Sequence, residues 1–314
     1  MPELGYLDGP AVRAAATVSQ CADALTAALQ QPFTGDDPPR LAIPTRHGEL
    51  LVMPSGKTGF PTTKLVTVAH PDVPGPRIKG VHIVFDPATL APVAVLDAEV
   101  LTLVRTAAVS ITALRQLADP ASARLVVCGT GPQAYEHATA ICAEWPIRHL
   151  CMLSRDSRRG VDAAAAMESR TSGVECISST LAAHGQVLRD ADIIVCATST
   201  TEALFTDDPG IAGAVVAVGS HRPVERELPA NLLARSFICV EDRGSALREA
   251  GDIIRAISDG AITESSIAAD LGELVRSEVA PDMSRPRVFK SVGMGWEDAI
   301  VGARIAGLDA RGDS

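Results

Sequence analysis

The sequence predicts an α/β protein with a doubly wound parallel sheet, preceded by a second, smaller α+β domain. Two observations support this fold class. Six short apolar runs between residues 125 and 242 are separated by helical lengths, which is typical of a parallel sheet covered by helices. Residues 40–84 instead show apolar runs broken by Pro and Gly, which predicts a small, mostly antiparallel sheet.

Composition limits the class of protein. At 314 residues, the chain is long enough for two domains. A hydrophobic fraction of 46% and a charged fraction of 21% are typical of globular proteins, and with 3% aromatic residues the core depends on Ala and Val. The net charge of −10 argues against a nucleic-acid or anionic-membrane partner, since both would repel an acidic protein.

Location and metal content follow from simple patterns. The amino terminus lacks a basic segment followed by an apolar one, and no run of about 18 uncharged apolar residues occurs. We therefore expect a cytoplasmic protein without a membrane span. The seven cysteines form no Cys-x-x-Cys pair and no His cluster has ligand spacing, so we expect reduced, buried thiols and no metal site.

The elements before the parallel sheet follow from apolar periodicity. Residues 11–30 place apolar side chains on one stripe and predict a helix that ends at Pro32. Residues 97–117 predict a long helix, and residues 118–120 a hinge between domains. Arg105 lies on that apolar helix, where it either extends its charge to solvent or binds a carboxylate with two hydrogen bonds. The strand predictions in this part are residues 41–43, 49–53, 64–68 and 80–85.

A glycine-rich turn follows the strand predicted at residues 125–128. Gly129 permits the tight turn, Gly131 leaves room for a pyrophosphate, and Ala134 is small enough for the following helix to meet the strand. Free N–H groups at the start of that helix would face the phosphates. The alternative is an ordinary glycine turn. The predicted cofactor contacts are Gly129, Thr130, Gly131, Pro132, Gln133 and Ala134.

The next strand, predicted at residues 148–153, should end beside the adenosine ribose. It ends in Ser154 and Arg155, with Arg159 in the same basic turn. A free 2′-hydroxyl favours Asp or Glu at this place, whereas these residues suit a 2′-phosphate, so NADPH is expected to be preferred. Asp156, one position late, leaves NADH possible, and a solvated basic turn is the alternative.

The later strands place further candidates beside the cofactor, because ligands of such sheets bind outside the carboxyl ends of the strands. The predicted contacts are Thr198, Ser199, Val218, Gly219, Ser220 and His221. The turn at residues 293–295 either caps the last helix or closes the nicotinamide site, with Ser291 and Gly293 as contacts. The remaining strand predictions are residues 174–177, 190–199, 214–223 and 236–242, and the helix predictions are residues 160–170, 244–256, 267–275 and 298–308.

Seven stretches, in order along the chain, carry a resemblance to a known family. They are residues 53–54, 62–67, 85–87, 101–108, 129–134, 217–223 with 227–228, and 289–294. Over nearly its whole length the chain resembles the ornithine cyclodeaminase and mu-crystallin family. The resemblance implies a Rossmann-type NAD(P)-binding domain, residues 119–287, inserted in a substrate-binding and dimerisation domain, residues 1–118 plus 288–314.

The same resemblance implies a homodimer and a small amino-acid or imino-acid substrate. Its carboxylate would be held by Arg46, Lys64 and Arg105, and an acidic protein does need such a local group of cations. Each of the three, taken singly, has a structural or surface role as its alternative.

Position 221 decides between branches of the family. Ornithine cyclodeaminases look to carry an aspartate there, and this chain has His221, so the sequence is more similar to the ketimine reductases. Lys64 and His221 are the catalytic candidates. His221 either donates a proton or lines the mouth of the pocket.

The sequence therefore predicts an NAD(P)H-dependent reductase of cyclic ketimines, such as Δ1-pyrroline-2-carboxylate and Δ1-piperideine-2-carboxylate. One alternative is an ornithine cyclodeaminase or an alanine dehydrogenase-like enzyme. A second is a non-catalytic protein that binds NADPH and a small ligand, although the few aromatic residues do not favour a bulky aromatic ligand.

Overall fold

The computed structural model describes residues 4–70, 72–181 and 185–308. The chain divides into two compact units, Met1–Val109 with Met294–Ser314, and Ser110–Gly293. The strands are β1 (Gly5–Leu7), β2 (Leu41–Thr45), β3 (Gly48–Ser55), β4 (Thr62–Ala69), β5 (Ile78–Phe85), β6 (Pro92–Asp97), β7 (Arg124–Cys128), β8 (His149–Ser154), β9 (Glu175–Thr180), β10 (Ile193–Cys196), β11 (Ala214–Ala217), β12 (Phe237–Val240), β13 (Ile267–Asp270) and β14 (Arg287–Lys290). The helices are α1 (Gly9–Ala15), α2 (Val18–Leu29), α3 (Ala98–Leu117), α4 (Pro132–Glu144), α5 (Ser157–Glu168), α6 (Gly185–Arg189), α7 (Ala230–Arg235), α8 (Arg243–Glu249), α9 (Gly251–Ser258), α10 (Leu271–Val275) and α11 (Gly295–Ile305).

The first unit contains a six-stranded sheet in the order β1-β6-β5-β4-β3-β2. β1 and β6 are parallel and the other neighbours are antiparallel. This confirms the predicted small, mostly antiparallel sheet. β1 and β6 went unpredicted, because β1 has three residues and β6 begins with a proline.

The helix predicted at residues 11–30 is wrong in one respect, since it is two helices. Ala16 is extended, with φ −156° and ψ 142°. Thr17 then caps α2: its hydroxyl accepts a hydrogen bond from the Gln20 N–H at 3.2 Å, and the Gln20 side chain accepts one from the Thr17 N–H at 3.0 Å. This reciprocal pair is a capping box, which starts a new helix.

The second unit contains an eight-stranded parallel sheet in the order β13-β12-β14-β11-β10-β7-β8-β9. The six predicted strands are present. The chain first adds strands on one side of β7 (β8 and β9) and then on the other side (β10 and β11), so the order of the strands reverses between β7 and β10, as in doubly wound folds. The helix predicted at residues 267–275 is wrong over its first half, where β13 pairs with β12. β14, between β11 and β12, was also not predicted, because its sequence, RVFK, has only two apolar residues between two charged ones.

α3 confirms the long helix predicted at residues 97–117. It is long and apolar enough to cross a membrane by length and composition alone, but 78% of its most apolar window is buried inside the protein. The unit boundary at residues 109/110 falls in the middle of this helix, about two helical turns before the expected hinge at residues 118–120.

α11 lies against β3, β4 and β5 in the first unit. At the contact with β5, Gly302 faces the fully buried His82. A Cβ atom at position 302 would lie 2.5 Å from His82 Nε2. The helix therefore approaches the sheet this closely only because residue 302 has no side chain.

We expect Gly302→Ala to lower the melting temperature, although alanine is the better helix former by about 1 kcal/mol. The added methyl group would overpack the contact with His82, which costs about 1–3 kcal/mol. Thermal unfolding followed by circular dichroism measures the change.

Gly160→Ala in α5 is the control, since its Cβ would meet Ser154 Cβ and Ser178 Cβ at an ordinary 3.5 Å. The double variant His82→Val/Gly302→Ala should recover the loss. A Gly302→Ala protein that melts at the wild-type temperature would contradict this account of the contact.

Candidate functional site

The turn between β7 and α4 has the geometry of a dinucleotide site. Gly129 has a φ of +129°, and a Cβ there would lie 2.6 Å from the Ala197 carbonyl oxygen. At Gly131 no atom lies within 4 Å of a Cβ, so the space beside the backbone is open. α4 begins at Pro132 without a side-chain cap, and Ala134 is buried. These features fit a pyrophosphate at the helix N-terminus; Thr130 and Gln133 are half-buried at the same turn.

The end of β8 carries a basic turn. Ser154 is buried, and its hydroxyl accepts a hydrogen bond from the Asp156 N–H at 3.2 Å. Asp156 caps α5 by accepting from the N–H groups of Arg158 at 2.9 Å and Arg159 at 3.2 Å. Asp156, the acid that could have bound the ribose of NADH, is therefore used as a helix cap. The side chains of Arg155 and Arg159 are exposed.

The loops after β10 and β11 are held by one buried glutamate, Glu227. Its Oε1 accepts hydrogen bonds from the backbone N–H and the hydroxyl of Thr198, both at 2.8 Å. Its Oε2 accepts from the Gly219 N–H at 2.7 Å. The predicted contacts Thr198 and Gly219 are thus brought together, with Ser199 exposed and Val218 half-buried beside them. From the sequence, Glu227 was recognised only as part of a family-like stretch, with no role assigned.

Two predicted serine contacts bind buried carboxylates instead of pointing to open space. The Ser220 hydroxyl donates to Asp252, and the Ser291 hydroxyl donates to Glu241. Glu241 also accepts from the Gly293 N–H at 3.0 Å. These residues therefore shape the loops through buried hydrogen bonds. His221 follows Ser220 and is half-buried.

In the first unit, Lys64 and Arg105 converge on two acids of α11. Lys64 Nζ lies 2.8 Å and 2.7 Å from the two carboxylate oxygens of Asp298. Arg105 Nε donates to Asp298 at 3.0 Å, and Nη1 donates to Glu297 at 2.9 Å. All four side chains are buried. Arg105 thus makes one hydrogen bond to each of two internal carboxylates, and not the predicted pair of hydrogen bonds to a single carboxylate. The sequence assigned no role to Glu297 and Asp298.

Burial sets the protonation of this cluster. The pKa of Lys64 is lowered to about 8: desolvation lowers it most, the charges of Arg105 and Arg40 also lower it, and the attraction of Asp298 opposes them. Burial alone would raise the pKa of Asp298, but Lys64 and Arg105 bring it below its usual range. Near neutral pH the cluster therefore holds a protonated lysine against an ionised carboxylate.

Arg46 is not brought into this cluster, which corrects the predicted trio. It lies exposed in the turn between β2 and β3, where Thr45 pairs with Gly48 and Gly48 pairs with Ala69. Ala69 is five residues along β4 from Lys64, or about 17 Å at 3.4 Å per residue.

Arg40 is, with Arg105, one of two arginines whose charge acts on Lys64. In the antiparallel pair of β2 and β3, Leu41 pairs with Val52, so residue 40 lies opposite Met53. Met53 in turn pairs with Lys64 on β4, which places Arg40 two strands from Lys64 at the same level of the sheet. Only the strand register reveals this neighbourhood. Within the described part of the chain, no group of three or more His, Cys, Asp or Glu side chains could hold a metal ion.

Comparisons with known proteins agree with these features. A model of the ornithine cyclodeaminase/mu-crystallin family matches residues 8–306. The ketimine reductase mu-crystallin of Mus musculus is 32% identical over 288 residues, which cover 88% of each chain. The Delta(1)-pyrroline-2-carboxylate reductase of Bacillus cereus is 31% identical over 268 residues, which cover 83% of this chain and 82% of that one.

The fold is also found among solved structures. The Thermococcus litoralis Delta(1)-pyrroline-2-carboxylate reductase, solved in complex with NADH and L-proline, is similar with a TM-score of 0.88 and 24% identity, covering 96% of each chain. This likeness confirms the predicted α/β fold class. The chain belongs to the ornithine cyclodeaminase/mu-crystallin family.

Proposed function

We propose that this protein is an NAD(P)H-dependent reductase of cyclic ketimines, converting Δ1-pyrroline-2-carboxylate to proline and Δ1-piperideine-2-carboxylate to pipecolate. The observation that carries the proposal is the buried pair of cations, Lys64 and Arg105, fixed by Asp298 and Glu297. Relatives about 30% identical over more than four-fifths of this chain are a ketimine reductase and a pyrroline-2-carboxylate reductase, which supports the same reaction.

The chain's own residues have separable tasks in this reaction. A bound reduced nicotinamide supplies the hydride. Gly131 and the N-terminus of α4 hold the pyrophosphate, and Arg40, Lys64 and Arg105 orient the substrate carboxylate. The imine carbon is electrophilic once its nitrogen is protonated, and Lys64, protonated near neutral pH, holds a proton for that nitrogen. His221 is the second candidate donor.

NADPH is the preferred cofactor in this proposal, with NADH as a weaker one. The support is the exposed pair Arg155 and Arg159 at the end of β8, together with the use of Asp156 as a helix cap. Guanidinium groups bind a phosphate well and have no acceptor for a 2′-hydroxyl.

The assembly we propose is a homodimer formed through the outer face of the six-stranded sheet. Cross-strand pairing puts a row of partly exposed apolar side chains on that face, and so large an apolar surface usually has a partner. They are Tyr6, Leu41, Ile43, Leu50, Val52, Leu65, Ile83 and Val95. Light scattering on the purified protein tests this, and a monomeric mass would exclude it.

The free cysteines agree with a reducing, cytoplasmic location, which subcellular fractionation tests.

Steady-state oxidation of NADPH with the five- and six-membered cyclic imines tests the function, and Arg40→Ala and Arg46→Ala test the site. We expect turnover by the wild type. Arg40→Ala should raise KM for the imine at least tenfold, because a charge-assisted contact to the carboxylate is worth about 1.5–3 kcal/mol. Arg46→Ala should stay within twofold of the wild type.

The opposite ranking of the two arginine variants would return Arg46 to the site. If the wild type binds NADPH but reduces neither imine, and releases no ammonia from ornithine, the proposed activity is wrong, and an alanine dehydrogenase-like enzyme and a non-catalytic binder are the alternatives left.

The pH profile of kcat/KM tests the role of Lys64. We expect activity to fall as pH rises through about 8, since Lys64 then loses the proton that serves the carboxylate and the imine nitrogen. Lys64→Arg keeps its charge at alkaline pH, so its residual activity should lack this decline. Lys79→Arg, at an exposed strand position, should keep the wild-type profile. An unchanged decline in Lys64→Arg would assign it to another group.

Reversal of charge at Arg155 tests cofactor recognition. Arg155→Glu should lower the preference for NADPH over NADH at least tenfold, because a carboxylate repels the 2′-phosphate and accepts from a 2′-hydroxyl. Arg148→Glu is the matched control, since Arg148 is also exposed and lies at the opposite end of β8. Equal preference ratios in the two variants would show that the basic turn does not bind the 2′ position.

A further inference from the structure

Two loops of the second unit share one buried anchor. Glu227 is 0% exposed, and its carboxylate binds Thr198, after β10, and Gly219, after β11. The approach is close, since a Cβ at Gly219 would lie 2.0 Å from the Thr198 carbonyl oxygen and 2.5 Å from Glu227 Oε1. Both loops carry predicted cofactor contacts. One side chain therefore bridges the two loops beyond the end of the strand pairing.

Glu227 is itself fixed by Asp252 and Lys290. Asp252 Oδ1 accepts hydrogen bonds from the N–H groups of Glu227 at 2.7 Å and Leu228 at 2.8 Å. Asp252 Oδ2 lies 3.2 Å from Lys290 Nζ, which also donates to the Ser220 carbonyl at 2.6 Å. The backbone of residue 227 and the loop after β11 are thus tied to the same buried ion pair.

The three groups that Glu227 binds, the N–H and hydroxyl of Thr198 and the N–H of Gly219, all donate hydrogen bonds to it. The ionised carboxylate is therefore the form of Glu227 that suits them. An ionised carboxylate has acceptors on both oxygens, whereas a protonated carboxyl or an amide replaces one acceptor with a donor. Two backbone N–H groups, those of Thr198 and Gly219, cannot turn away independently of their loops. Loss of one acceptor would therefore release one of the two loops.

We propose that Glu227 is a positioning residue, whose ionised carboxylate holds the loops after β10 and β11 in the conformation that binds the dinucleotide. This inference rests on the proposed function in that the ligand is NADPH or NADH. Glu227 does not touch the cofactor itself, and it acts through Thr198 and Gly219.

The surroundings of Glu227 make the arrangement sensitive to pH. Burial raises its pKa, the charge of Asp252 on α9 raises it further, and Lys290 on β14 and the hydrogen bonds from Thr198 oppose this. The thiol of Cys196 on β10 also interacts with it, and a hydrogen bond with Cys128, together with burial, raises the pKa of that thiol and keeps it neutral. Protonation of Glu227 on acidification should therefore begin at a higher pH than for an exposed glutamate, and cofactor affinity should fall as it proceeds.

The test measures the Kd of NADPH by fluorescence between pH 5 and pH 8 for the wild type, Glu227→Gln and Glu175→Gln. Glu175 is exposed at the start of β9 and serves as the matched control. We expect wild-type Kd to rise toward acid pH. Glu227→Gln should bind at least tenfold more weakly at pH 8, with a flatter profile, and Glu175→Gln should follow the wild type. Equal affinity and an equal pH slope for the wild type and Glu227→Gln would overturn the proposal.

Amide hydrogen exchange, measured without ligand, tests the role of Glu227 independently of the proposed function. In Glu227→Gln the Gly219 amide should exchange at least tenfold faster, while the Gly293 amide, bound to Glu241, should keep its rate. If the wild type binds neither dinucleotide, the proposed function fails, and this arm still decides the anchor: an unchanged Gly219 rate overturns it. If Glu227→Gln does not fold, Glu227→Asp is the second variant for the same exchange measurement, since it keeps the charge but is one methylene too short to reach both loops.

Discussion

Buried carboxylates surrounded by donors are the constraint on which both units depend. An unpaired carboxylate in the interior would cost several kcal/mol, so each one must be matched when the chain folds. Asp298 is matched by Lys64 and Arg105, and Glu227 by the backbone and hydroxyl of Thr198 with the N–H of Gly219. Each match joins segments distant in sequence. The same contacts that satisfy the charges therefore fix the elements on which the proposed binding residues lie.

This constraint changes how the cationic residues act. Lys64 and Arg105 do not wait as unpaired charges for a substrate, because Asp298 and Glu297 already neutralise them. An unpaired buried lysine would have a pKa depressed further than the value of about 8 that Asp298 allows. The ion pairs also hold both side chains in one geometry before binding, which reduces the entropy lost on association. In the proposed reaction, a substrate carboxylate would then meet pre-oriented donors.

The sequence predicts what depends on local pattern. Runs such as residues 125–128, followed by Gly129 and Gly131, predict strand, turn and helix because the requirements lie within a few residues. Which further arginine lies near Lys64 depends instead on the register of β2, β3 and β4, which favours Arg40 over Arg46. The partner of Arg105 lies 192 residues away in sequence. No spacing rule connects such positions, since only the tertiary structure brings them together.

β14 carries a family-like stretch whose polar side chains bind other parts of the second unit. It lies between β11 and β12, where Lys290 pairs with Ala217 on one side and Val240 on the other. From this central position Lys290 reaches Ser220 and Asp252, while the next hydroxyl, that of Ser291, reaches Glu241. Replacing Lys290 with an apolar residue would leave Asp252 buried without its cation, a larger penalty than the loss of the pair itself. Lys290 therefore contributes to a dinucleotide site through the loops it fixes.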